Sequence, residues 1–212
     1  MTMSTDSAAA PRRLAVVLAD RSAAAGAPPG VDRGAFAAAC LADSYEVVAD
    51  LVGVSSGVAG GGAEVDELLW PGSVRFGATG GVRELARSVE GHYDELVVVP
   101  GDVPDLPGLV IAKLFKALQR ADICLAPERG AAGGLAAVGV RVPWPSWIST
   151  PVDLDHDPLT ELQELAPRRS LVTTGPDWHR MRTPVAVGRL DPGLEGWEMT
   201  RSLLSGHRLD PG

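Results

Sequence analysis

Lysine is almost missing from this chain. Lys113 and Lys116 are the only two, and both fall on one predicted helix, so no lysine is available at any other loop. Positive charge as a whole is scarce. Nineteen Lys and Arg stand against 27 Asp and Glu, a formal net charge of −8. That balance argues against a general surface for nucleic acid or for an anionic membrane. Cysteine occurs only at Cys40 and Cys124, far apart. This excludes a disulfide framework and gives no metal-ligand spacing; free thiols packed as small hydrophobes are expected instead. No apolar run approaches the roughly 20 residues of a membrane-spanning helix. Residues 1–13 carry no hydrophobic segment of signal-peptide type and read as a disordered leader. A cytoplasmic protein is the resulting expectation.

What is present is globular in character. Hydrophobic residues make up 45% and charged residues 22% of 212 residues, which suits one α/β domain over residues 14–212 with a substantial core. Leu14 to Ala19 reads as a first buried strand, feeding a loop of small residues from Asp20 to Gly30. Ala35 to about Asp50 is helical, with Phe36, Cys40, Ser44 and Val47 or Val48 at helical spacing and Asp32 as N-cap. The pattern then predicts a second strand at Leu51–Val54 and a flexible Gly-rich stretch at Ser55–Gly62. Irregular chain follows from Trp70 to Gly81, then a helix at Val82–Val89 and a third strand at Glu95–Val99. A helix over Leu109–Gln119, strands at Ile123–Ala126 and Leu135–Val142, and helices at Pro158–Leu165 and Leu194–Leu204 complete the pattern. Strands alternating with helices imply a mostly parallel sheet with right-handed crossovers.

The most informative stretch is Leu96-Val97-Val98-Val99-Pro100-Gly101-Asp102-Val103-Pro104-Asp105-Leu106-Pro107. A run that is apolar at every position suits a central strand buried on both faces. Ligands of open α/β sheets bind beyond the carboxyl ends of such strands. Asp102 and Asp105 would stand there, where a carboxylate can hold Mg²⁺ or a ligand hydroxyl. Gly-Asp-x-Pro is equally an ordinary turn, with Asp102 capping the next helix.

The order of pieces around this motif resembles the GT-A fold of nucleotide-diphospho-sugar transferases. Gly101-Asp102-Val103-Pro104-Asp105-Leu106 is followed by Ala121-Asp122-Ile123-Cys124-Leu125-Ala126-Pro127, Gly133-Gly134-Leu135, Val138-Gly139-Val140 and Trp147-Ile148-Ser149-Thr150-Pro151. Over about Glu95 to Pro151 this is similar to an uncharacterised bacterial family of GT-A glycosyltransferases and, more distantly, to guanylyltransferases acting on molybdopterin or phospholactate. The resemblance implies a three-layer, Rossmann-like α/β fold. It also implies a transferase using a nucleotide or nucleotide-sugar donor, for glycosyl or nucleotidyl transfer. Asp102 would hold Mg²⁺ or Mn²⁺, with Asp105 as its support. The donor would be cradled by Ala19, Asp20, Arg21 and Ser22, by Gly80, Gly81 and Arg83, and by Gly101, Gly133 and Gly134. Backbone N–H groups of Gly-rich loops, arginines and a cation are what a diphosphate requires.

Two departures stand against this. The first loop of the guanylyltransferases continues into glycine and lysine, and the bacterial family has a lysine-proline start and a lysine-threonine-arginine triplet. Here Arg21 and Ser22 remain, but the later positions read alanine and proline. The second metal-binding aspartate of the family falls in His179-Arg180-Met181-Arg182-Thr183-Pro184-Val185, where only Thr-Pro is kept. His179, Arg180 and Arg182 are either surface charges at a rim or direct holders of an anionic ligand that make a metal unnecessary. Arg75 and Arg83 divide the same way, between solvated charges and phosphate contacts. Asp153, Asp155, His156 and Asp157 form either a cation site or a helix cap at Pro158. Trp144 and Trp147 are hydrophobic cover or a pocket wall. A catalytically degenerate GT-A protein, acting as a binding or partner protein, is the alternative function. A homodimer is compatible with the sequence.

Overall fold

The computed structural model describes residues 10–20, 22–77, 80–130 and 133–206. Its frame is a seven-stranded sheet. The strands are β1 (Arg13–Ala19), β2 (Ser55–Gly60), β3 (Val74–Phe76), β4 (Glu95–Pro100), β5 (Ile123–Pro127), β6 (Leu135–Arg141) and β7 (Val172–Thr174), in the order β3-β2-β1-β4-β6-β5-β7. All neighbours are parallel except β6, which runs antiparallel to both β4 and β5. The helices are α1 (Arg33–Ala49), α2 (Val82–Ser88), α3 (Gly108–Leu118), α4 (Leu159–Leu165) and α5 (Glu198–Gly206).

Strand alternation explains the three layers. In β1 and β4, Leu14, Val16, Leu96 and Val98 face the side covered by Val82, Leu85 and Ala86 of α2 and Leu162 of α4. Ala15, Val17, Val97 and Val99 face the opposite side, under Tyr45 and Val48 of α1 and Ile111, Leu114 and Leu118 of α3. The two strands therefore read as unbroken apolar runs because both of their faces are buried. A third cluster joins the outer face of α1 to the C-terminal region through Phe36, Cys40, Met181 and Trp197. Asp32 caps α1 as expected, accepting a 2.8 Å bond from the Ala35 N–H. Both cysteines are free and buried. No described helix is long and apolar enough to cross a membrane.

The second strand differs from expectation. It lies at Ser55–Gly60, inside the stretch read as flexible, and Leu51–Val54 only leads into it. Ladders to β1 and β3 on both sides hold it there. Gly57 is required by packing, since a Cβ would come 2.8 Å from the Val74 carbonyl oxygen and 3.1 Å from the Phe76 ring. β3 falls in chain read as irregular, β7 was not anticipated, and α5 starts at Glu198 rather than Leu194.

Candidate functional site

The carboxyl ends of β1, β2 and β4 share one edge with the start of β6, and the Gly101–Asp105 turn sits on it. Gly101 must lack a side chain, because a Cβ would meet the Leu18 carbonyl oxygen of β1 at 2.8 Å. The turn therefore packs flush against its neighbour and aims both aspartates across the edge.

Both aspartates are fully engaged. Asp102 is 0% exposed. Arg180 donates to its two oxygens, Nε to Oδ1 at 2.7 Å and Nη2 to Oδ2 at 2.9 Å. Arg180 is itself buried, and its Nη1 donates to the Leu154 carbonyl at 2.6 Å. Asp105 receives Trp178 Nε1 at 3.1 Å and the Asp191 backbone N–H at 3.2 Å. His179 Nε2 stands 2.9 and 3.0 Å from its two oxygens. One strap, Trp178–Arg182, thus runs over the turn and fills the space above it. The Met181 N–H bonds the Asp102 carbonyl at 2.7 Å, and Gly26 packs so closely beneath that a Cβ would meet the Met181 carbonyl oxygen at 2.1 Å.

The residues present do not fit a divalent cation at Asp102. Mg²⁺ and Mn²⁺ need several open oxygen ligands. Asp102 has neither oxygen free, and no group of three or more His, Cys, Asp or Glu is placed to hold a metal among the described residues. A guanidinium supplies the positive charge there instead.

Arg182 differs from Arg180 in being accessible, with 23% of its side chain exposed. Its Nη2 bonds the Leu154 carbonyl at 3.0 Å and Asp155 Oδ1 at 2.7 Å. Its Nε is 3.6 Å from Glu128 Oε2 and 3.9 Å from Asp102 Oδ2, and Nε and Glu128 Oε2 are buried without hydrogen bonds. Burial pushes the Glu128 carboxyl above the usual carboxylate range, opposed by the charge of Arg180. Gly134 belongs to the same cluster. A Cβ there would lie 2.8 Å from Glu128 Oε2 and 2.9 Å from both Arg182 Nη2 and the Leu154 carbonyl oxygen.

Beyond the ends of β1 and β2 is a cavity of about 350 Å³ lined by Ala19, Asp20, Ala38, Leu41, Gly61 and Glu64 among others. Ser22 turns back to hydrogen-bond the Asp20 carboxylate through its backbone N–H at 3.1 Å. Arg75 ties down the far wall, reaching the Gly61 carbonyl at 3.2 Å. A larger cavity of about 790 Å³, lined by Arg12, Val54, Phe76, His92 and Tyr93, lies at the opposite end of the sheet. Ligand sites of open α/β sheets lie at the carboxyl ends, so the smaller cavity is the relevant one.

The other expected residues scatter. Arg21 lies outside the described residues. Arg83 hydrogen-bonds the Ile148 and Thr150 carbonyls and stacks over Trp144, so it anchors the 143–150 segment. The Gly80 N–H donates to Glu84 at 2.7 Å, and Gly81, at φ +136°, opens α2. Gly133 is exposed at φ +70°. His156 pairs with Asp153 at 3.0 Å, and Asp157 caps α4 through the Leu159 N–H at 3.0 Å. Trp144 and Trp147 are partly buried cover on the sheet, with Trp147 Nε1 on Asp122 at 2.8 Å. Sequence reasoning missed Glu128; its signal was position, directly after the Ile123–Pro127 strand on the same edge as Asp102.

No family model matches the sequence, and no curated protein matches it. Solved structures do. A protein from Desulfovibrio desulfuricans G20 assigned as a nucleotide-diphospho-sugar transferase superposes with TM-score 0.63 at 16% identity, over 93% of this chain and 98% of that one. The fold is that of the nucleotide-diphospho-sugar transferases. The 4-diphosphocytidyl-2C-methyl-D-erythritol synthase of Anaerococcus prevotii DSM 20548 superposes with TM-score 0.53 at 9% identity, over 78% of this chain and 87% of that one. A CMP:2-keto-3-deoxy-manno-octonic acid synthetase solved with CTP gives TM-score 0.50 at 10% identity, over 93% and 99%. On this GT-A frame, the strap carrying Arg180 covers the turn where the resemblance places a metal.

Proposed function

We propose that this protein is a GT-A-type transferase that takes a nucleotide or nucleotide-sugar donor for glycosyl or nucleotidyl transfer. The observation that carries the reading is the cavity of about 350 Å³ at the carboxyl ends of β1 and β2, one of whose lining residues, Leu41, packs against Gly101 of the Gly101–Asp105 turn. Its size lies at the small end of ligand pockets, suited to a nucleoside rather than a whole nucleotide sugar. Ala19 and Gly61 offer backbone groups at close approach, and Asp20 offers a carboxylate to ribose or base N–H and O–H donors. The diphosphate would then leave the cavity toward Gly134 and Arg182, and the acceptor would attack from the open side. Asp102 and Asp105 act as positioning residues in this reading, holding the strap through Arg180 and His179. The CTP held by one of the structural neighbours is in keeping with it. Two free buried thiols suit a cytoplasmic location.

Thermal unfolding with GTP, CTP and UDP-glucose, each with and without Mg²⁺ or Mn²⁺, tests the reading. A donor at 100 times its Kd stabilises by about 2.7 kcal/mol. Ala38→Trp, on the exposed face of α1 at the cavity wall, should remove the shift and leave the unliganded midpoint in place. No shift with any donor contradicts the proposal. Binding without turnover of any donor returns the binding-protein alternative.

A further inference from the structure

We infer that Arg182 is the diphosphate-binding cation of this site and that it works without a divalent metal, with Asp155 holding its place until the ligand arrives. This rests on the donor reading above and deepens it. Arg180 is fully buried and bidentate on Asp102, and its Nη1 is shared among the Leu135 and Leu154 carbonyls and, more distantly at 3.4 Å, Asp155 Oδ1. His179 is buried on Asp105. Arg182 alone of the three is both accessible and incompletely bonded. Its Nε is buried with no hydrogen bond, yet it stands 3.9 Å from Asp102 Oδ2, over the carboxylate that the resemblance gives to a metal.

Its strongest partner is also the most replaceable one. Asp155 is 69% exposed, and ion pairs in solvent contribute little to stability. A diphosphate brings more charge and a geometry that the guanidinium fork matches in two bonds. The surroundings are built rather than incidental. Glu128, with 6% of its side chain exposed, directs an Oε2 without a hydrogen bond at the Arg182 Nε. Gly134 leaves room for Arg182 beside the Leu154 carbonyl, where a Cβ would stand 2.9 Å from both. Glu128 in its charged form opposes an incoming anion, so its charge limits affinity.

The test is isothermal titration of UDP, CDP and GDP into the full chain in EDTA and again in Mg²⁺. The expected result is binding in EDTA for at least one nucleotide, unchanged within about twofold by Mg²⁺. Arg182→Ala should weaken it at least tenfold, in line with loss of a charge-assisted bond. Arg182→Lys should recover only part, lacking the fork. Asp155→Asn, at an exposed position, should strengthen binding several-fold, as should Glu128→Gln. Unliganded thermal midpoints establish that each variant is folded. Binding that requires the metal, or that ignores Arg182→Ala in a folded variant, overturns the inference and leaves the donor reading standing. Failure of every nucleotide under both conditions overturns the donor reading, and this inference with it.

Discussion

Asp102 illustrates what a single residue discloses in sequence and what it withholds. The apolar run and the Gly-Asp turn place it correctly on a strand end. Its partner lies 78 residues away, so nothing local announces the ion pair. In the notation of motifs, Arg180 is simply a lost aspartate; in space, it is the charge that makes burial of Asp102 tolerable. Removing one member of a buried pair strands the other without a counter-charge, at a cost of about 3–5 kcal/mol. Asp102→Ala and Arg180→Ala should each lower stability by that amount in urea unfolding. Arg182→Ala, which loses one exposed pair to Asp155 and a longer contact to buried Glu128 while Asp102 keeps Arg180, should cost less than either. Equal, small effects for all three would mean that Arg180 is not the buried counter-ion described.

At the scale of elements, α5 is docked by a residue of α1. Asp43 is 0% exposed and accepts the Met199 N–H at 3.0 Å and the Thr200 N–H at 2.8 Å, a cap supplied from another helix. Asp43→Ala should cost about 1 kcal/mol, the worth of a helix cap, and should speed hydrogen exchange in Glu198–Gly206 while β1 and β4 stay protected. Burial raises the Asp43 carboxyl above its ordinary value, outweighing the two N–H bonds. Its folded value then exceeds its unfolded one, so the native state binds the extra proton between them. This contribution is fully present below the unfolded value and is lost as pH rises through the folded one. The stability difference between wild type and Asp43→Asn should therefore shift against the wild type as pH rises across that window. Helices with clear periodicity, such as α1 and α3, were legible because their apolar spacing is local. β2 was not: Ser55-Ser56-Gly57-Val58-Ala59-Gly60 has little strand propensity, and its two neighbouring ladders and the Phe76 contact at Gly57 decide the matter. β3 and β7, three residues each, carry no period that could be counted.

For the molecule as a whole, the resemblance over Glu95–Pro151 was enough to reach the GT-A architecture, because it rests on the order of motifs along the chain, whereas the strand order and the antiparallel β6 depend on packing that this order does not display. The closing of the edge was beyond reach, since it depends on the C-terminal strap returning across Asp102 and Asp105. The result is a GT-A sheet whose expected metal position is filled from within, with a nucleoside-sized cavity beyond β1 and β2 and an accessible Arg182 in the strap. A larger cavity at the amino ends of the strands, of about 790 Å³, competes for any ligand. Backbone ¹H–¹⁵N spectra recorded during titration with GTP, CTP and UDP-glucose separate the two. The account predicts that a binding donor shifts Ala19, Asp20, Gly61 and Gly134 while His92 and Tyr93 stay in place. Shifts confined to Arg12, Gly53, His92 and Tyr93, or no shift with any donor, would contradict it.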